Sequence, residues 1–105
     1  MADFAPMSSP SLLVADDHPL FRAAVLHVLH ARFAQYQTLE AASAAAVSSM
    51  LQAHPEVELV LLDLTMPGAR GFSTLLHVRG EYSEVPVVII SSNVHPRVIR
   101  RAQQF

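Results

Sequence analysis

Four polar positions in this chain could do chemistry together: the adjacent Asp16 and Asp17, then Asp63, then Ser91. Each follows a short apolar run: Leu12-Leu13-Val14-Ala15 before the acid pair, Leu59-Val60-Leu61-Leu62 before Asp63, and Val87-Val88-Ile89-Ile90 before Ser91. Carboxylates crowded at one place repel one another, and a hard divalent cation relieves that repulsion. An all-oxygen donor set suits Mg2+ better than Zn2+. Mg2+ usually takes only one or two carboxylates and keeps room for a phosphate oxygen. An aspartate beside such an ion can act as a nucleophile toward phosphorus and form an acyl phosphate. A hydroxyl such as that of Ser91 could bond an oxygen of the transferred group.

That chemistry requires elements that bring distant residues to one rim. Residues 59–62 are large, apolar and uninterrupted, which predicts a strand buried on both faces, as in a parallel sheet. Such a strand can keep a carboxylate only at its end, because an unpaired charge in its middle is very costly. Residues 11–15 form a second run of this kind, and residues 85–90 a third. Between them, Gln37-Thr38-Leu39-Glu40-Ala41 is more polar, as an edge strand should be. Phe21, Val25, Val28, Leu29 and Phe33 recur at helical spacing from about Pro19 to Phe33, with proline suited to a first turn. Ser43 is a plausible N-cap for an Ala-rich helix with Val47, Met50 and Leu51 facing inward, ended by His54-Pro55. Phe72, Leu75, Leu76 and Val78 predict a short helix stopping near Gly80. Arg97, Val98, Ile99, Arg100, Arg101 and Ala102 suggest a last helix with a basic outer face. Residues 1–10, rich in Ser and Pro, read as a loose leader. The β-α alternation is that of a doubly wound α/β domain with a parallel sheet, and right-handed crossovers place all strand ends on one side. Asp16, Asp17, Asp63 and Ser91 therefore share a rim, where open α/β sheets bind ligands.

Bulk composition narrows the classes. The 105 residues suffice for one small domain, and 51% hydrophobic with 15% charged residues supports a core rather than disorder. A formal charge of -2 gives no reason to expect nucleic-acid or membrane-surface binding by this segment. There is no cysteine, hence no disulfide framework or thiolate metal site, which fits a cytoplasmic, reducing setting. No apolar run is long enough to span a membrane. All seven basic residues are arginine.

The sequence resembles the receiver domain of two-component response regulators, of the NarL/FixJ type. The resemblance is carried by Val14-Ala15-Asp16-Asp17-His18-Pro19-Leu20-Phe21-Arg22, by Val60-Leu61-Leu62-Asp63-Leu64-Thr65-Met66-Pro67-Gly68 with Gly71, and by Val87-Val88-Ile89-Ile90-Ser91. It implies a flavodoxin-like fold with strand order 2-1-3-4, and a receiver over residues 11–105. It implies that Asp63 is the phosphoacceptor and that Ser91 is a switch hydroxyl. Mg2+ would be held by Asp16, Asp17, Asp63 and the backbone carbonyl of Thr65. The phosphoryl donor would be a sensor histidine kinase or a small acyl phosphate. The output would be a helix-turn-helix DNA-binding domain beyond this segment, regulating transcription.

Departures from the family pattern are specific. The family places a lysine at the end of a fifth strand, and this chain has no lysine and neither a fifth strand nor a fifth helix. Arg70 stands where many members have Asp. The expectation is a receiver incomplete at its C-terminal end, whose fourth strand or fourth helix would self-associate. The competing reading is a receiver that acts only as a phosphorylation-independent interaction or dimerisation domain. A phosphatase of the haloacid dehalogenase type would need a second Asp two residues after Asp63, where Thr65 stands, so no enzyme activity is expected. A flavodoxin-like cofactor domain would need a phosphate loop where Asp16 and Asp17 would repel phosphate. Taken singly, Asp16-Asp17 could cap a helix, Asp63 could form a turn, and Ser91 and Ser92 could be loop residues. His18, placed before Pro19, reads as a helix-entry residue. His27, His30, His54, His77 and His95 show no converging ligand spacing apart from the generic His27/His30 pair, and read as surface or packing residues; Arg97, Arg100 and Arg101 read as a solvated face.

Overall fold

The computed structural model describes residues 9–66 and 72–90. The leader up to Ser8, the Pro67-Gly68 turn signal, Arg70, Gly71, Ser91 and the basic helix expected after it lie outside the described residues.

Seven elements alternate along the chain: β1 (Ser11–Ala15), α1 (Pro19–Arg32), β2 (Gln37–Ala41), α2 (Ala44–Ala53), β3 (Val57–Asp63), α3 (Ser73–Glu81) and β4 (Val87–Ile90). The strands form one sheet in the order β2-β1-β3-β4, and every pairing is parallel. This is the doubly wound arrangement with strand order 2-1-3-4 expected from the sequence. The polar strand β2 is at an edge, where a half-solvated backbone is tolerated. Among the described residues no helix is long and apolar enough to cross a membrane.

Side-chain alternation sorts the core into two layers. Leu13 and Ala15 of β1, with Val60 and Leu62 of β3, pack under Val47 and Leu51 of α2 and Leu75 and Val78 of α3. Leu12 and Val14 face the other way, onto Leu29, Val25 and Leu26 of α1, with Leu59, Leu61 and Ile90 alongside. β1 is buried along its whole length, as a central strand should be. β3 is not: Val60 and Leu62 are inaccessible, while Leu59 and Leu61 are only half-buried. The expectation of burial on both faces therefore holds fully for one face, because α1 lies over β1 and reaches only part of β3.

Capping and turn chemistry set the boundaries. The Ser43 hydroxyl accepts from the Ala46 amide at 3.1 Å and starts α2, and α2 ends at His54 as expected. α3 runs one residue past Gly80. β4 begins later than the apolar run because Pro86 lacks an N–H; its carbonyl still accepts from Val60 N at 3.0 Å. Three residues assigned inward by helical spacing are exposed: Val28, Phe33 and Leu76. Val28 sits to the side of the Val25/Leu26/Leu29 stripe, and Phe33 is the C-cap, its ring edge-on to Tyr36. Leu76 lies opposite the buried Thr74, Leu75 and Val78.

Candidate functional site

Register brings the first two carboxylates together. The last paired residues of β1 and β3 are Ala15 and Leu62, so Asp16 and Asp63 follow in step on neighbouring strands. Both continue the faces of Val14 and Leu61, and so project to the same side of the sheet. A register shift between Ser11 and Leu12 sets this up. Ser11 pairs with Val57, but Leu12 pairs with Leu59, so β3 carries one extra residue at its start. Without that bulge, Asp16 would meet Leu62 and the two acids would not face one another. The Asp16 amide donates to the Ala41 carbonyl at 2.9 Å, extending the β1–β2 ladder one step and fixing the backbone at the rim. Arg22 of α1 donates to the Asp16 carbonyl at 2.6 Å and to Glu40 Oε1 at 2.7 Å, tying helix, strand and edge together.

Asp16 and Asp63 are wholly buried and Asp17 is partly exposed. One oxygen of each, with His18 Nδ1, forms a group whose atoms all lie within 4.8 Å of one another. Of the four positions proposed from the sequence, the structure thus brings three to one place, and Ser91 lies outside the described residues. Thr65 is adjacent and exposed. Its amide donates to Asp63 Oδ1 at 3.1 Å, and its hydroxyl lies 2.9 and 3.0 Å from the two Asp63 oxygens, sharing one proton between them.

His18 is the residue that sequence reasoning underestimated. It occupies the N-cap position of α1 but makes no side-chain cap. Its backbone amide instead donates to Asp16 Oδ1 at 2.7 Å, and its Nδ1 lies 2.8 Å from Asp16 Oδ1, 3.2 Å from Asp17 Oδ1 and 3.7 Å from Asp63 Oδ2. The Asp16 hydrogen bond, followed by the charges of Asp17 and the other carboxylates, holds the imidazole above its usual 6.5, although desolvation pulls the other way. The signal was its place immediately after two acids, outweighed in the sequence by the proline that follows.

The cluster remains unbalanced. Among the described residues the group sets three carboxylates against one imidazole. Asp16 Oδ2 and Asp17 Oδ1 are shielded from solvent and accept no hydrogen bond among the described residues. Orphaned carboxylate oxygens on a rim, with oxygen donors in the majority, are the donor chemistry of a hard divalent ion. The residues present fit Mg2+.

Comparison with known proteins identifies the kind of domain. The family model described as the response regulator receiver domain matches residues 12–105. The "Glycerol metabolism activator" of Pseudomonas putida is 38% identical over 91 residues, covering 87% of this chain and 41% of that protein. The "Probable transcriptional regulatory protein NarL" of Mycobacterium tuberculosis is 35% identical over 104 residues, 93% of this chain and 47% of that protein. The chain spans less than half the length of these two relatives. Among solved structures, the signal receiver domain of NarL from Mycobacterium tuberculosis superposes with a TM-score of 0.73 at 30% identity, covering 92% of this chain and 77% of that one. RcsB of Salmonella typhimurium reaches a TM-score of 0.81 at 18% identity over 93% of this chain and 50% of that one, a likeness of fold alone.

Proposed function

This chain belongs to the response regulator receiver domain family, and we propose that it works as the phosphoryl-accepting module of a two-component system, with Asp63 as the acceptor. A carboxylate oxygen of Asp63 would form the new P–O bond as the P–N bond of a phosphohistidine on a sensor histidine kinase breaks, the electron pair returning to the imidazole. The observation that carries this reading is the placement of a wholly buried Asp63 carboxylate within 4.8 Å of those of Asp16 and Asp17.

Each residue then has a task. The Thr65 amide and hydroxyl orient the Asp63 carboxylate, since both donate to it. Asp16, Asp17, Asp63 and the Thr65 carbonyl would hold Mg2+, which when bound supplies positive charge to offset that of the transferred group. Arg22 holds the Asp16 backbone in place. Ser91, immediately after β4, would donate its hydroxyl to a phosphoryl oxygen and so report occupancy to its own segment. A DNA-binding output domain and a cytoplasmic setting accord with the transcriptional regulators among the relatives. Self-association along β4 is supported by the half-exposed Val88 on a strand whose one sheet neighbour among the described residues is β3.

Incubation with acetyl phosphate and Mg2+, read by intact mass, tests the acceptor role. Addition of one phosphoryl group, absent in Asp63→Ala and in EDTA, is expected. An unmodified chain under these conditions favours the phosphorylation-independent interaction domain, and modification that persists in Asp63→Ala refutes the assignment.

A further inference from the structure

We infer that His18 is itself a ligand of the metal site, contributing Nδ1 as a nitrogen donor and giving the site a preference for Mn2+ over Mg2+. This rests on the carboxylate metal site proposed above and adds a member and a selectivity to it.

Placement is the first support. The His18 amide is anchored on Asp16 Oδ1 at 2.7 Å, so the residue cannot leave the rim without breaking that bond. Its side chain forgoes capping the helix that it begins and turns back toward the acids. Nδ1 is the ring atom turned inward, 2.8, 3.2 and 3.7 Å from one oxygen of each of the three carboxylates.

The spacing of the donors is the second. Ligand atoms about 2.1 Å from a common six-coordinate ion lie about 3.0 Å apart when adjacent and about 4.2 Å apart when opposite. The four donors here are spread over at most 4.8 Å, close to that range. Asp16 Oδ2, fully buried, adds a carboxylate oxygen that has no hydrogen-bond partner among the described residues.

Donor type decides the selectivity. Mg2+ strongly favours oxygen and gains little from an imidazole, whereas Mn2+, although the weakest of the first-row ions in this respect, accepts nitrogen as well as oxygen donors. Replacing one water by Nδ1 therefore strengthens Mn2+ binding and does little for Mg2+. Any proton on Nδ1 is released as the metal binds, as for every histidine ligand. The outward half of the ring is open to water, since the side chain is 50% exposed, so Nε2 can be hydrated without rearrangement.

Mn2+ is also the suitable probe. His27 and His30 lie three residues apart on α1 and would gather ions higher in the transition series, whereas Mn2+ has the weakest attraction for such surface imidazoles. Calorimetric titration of the 105-residue chain with Mn2+ and with Mg2+, together with pulsed EPR of the Mn2+ form, tests the inference. Mn2+ should bind one to one, about tenfold or more tighter than Mg2+, and show modulation from a histidine nitrogen. His18→Gln keeps a hydrogen-bond donor and the backbone amide but removes the imidazole. It should abolish the nitrogen coupling and weaken Mn2+ about tenfold while changing Mg2+ less than about twofold. Mn2+ bound without nitrogen coupling, or His18→Gln weakening both ions alike, overturns the ligand role of His18 and leaves the carboxylate site intact. Failure of both ions to bind, or Asp17→Asn leaving both affinities unchanged, overturns the site itself and this inference with it.

Discussion

Replacing Asp63 with asparagine should stabilise the metal-free chain. Asp63 faces two other carboxylates with donor oxygens no more than 4.8 Å away. At an effective dielectric of about 20, each such pair costs about 3.5 kcal/mol or more. Asp17 is 28% exposed, so water screens its share, and the His18 imidazole offsets part of the rest when charged. A net relief of about 2 kcal/mol is what remains at that dielectric. The asparagine carbonyl can still accept from the Thr65 amide and hydroxyl, so the local hydrogen bonds survive. For a chain of this size the relief corresponds to a rise in Tm of about 10 °C. Calorimetric melting in EDTA and in millimolar Mg2+ measures it. The gain should appear in EDTA and shrink or reverse with Mg2+, because an ion held by the proposed site would stabilise the wild-type chain by binding its native state. An Asp63→Asn chain that melts at or below wild type in EDTA, or a gain indifferent to Mg2+, would refute the view that the three carboxylates are in electrostatic conflict.

Other perturbations separate the scaffold from the site. Leu62→Ala removes a side chain with no solvent exposure, and should cost about 3 kcal/mol by urea denaturation, whereas Leu20→Ala, at an 88% exposed position, should change stability by less than about 0.5 kcal/mol. Ser43→Ala loses the bond from the Ala46 amide and should cost about 1 kcal/mol; an unchanged urea midpoint would mean that the cap contributes nothing. Glu56 is held below its ordinary value of 4.5, first by its own backbone amide and then by His54 at 2.9 Å. A depressed carboxylate adds stability above its unfolded pKa that is lost as pH falls through the folded one. Urea midpoints of wild type and Glu56→Gln should therefore differ most above pH 4.5 and converge on acidification; parallel curves would exclude this contribution.

The parts of the fold legible in the sequence were those governed by period and by local chemistry. Four apolar or alternating runs and three helical stripes sufficed for the element order, and Ser43 and His54-Pro55 marked both ends of α2. The errors have one origin. Spacing counts which residues could face inward, but the neighbour decides which of them are covered. α1 uses Val25, Leu26 and Leu29 and leaves Val28 outside, and it leaves Leu59 and Leu61 of β3 half-open. The bulge that aligns Asp16 with Asp63 had no sequence mark, since Glu58 is an ordinary residue in a strand-like context.

For the site, the carboxylates were legible because a charge after a buried strand has few places to go, and the sheet topology then forces strand ends to converge. His18 was not, because two signals competed within one tripeptide. The following Pro19 marks the start of a helix, and an N-cap residue is ordinarily judged by what its side chain does for that helix. Here the acids on its other side act more strongly on the ring. With three anions within reach, and two of their oxygens without a hydrogen bond among the described residues, the imidazole gains more by turning back than it could by capping. The helix start is stabilised instead by Pro19 and by the bond from the Arg22 amide to the His18 carbonyl. The side chain left over by that solution therefore lies against the proposed metal site, where it would influence which ion the rim selects.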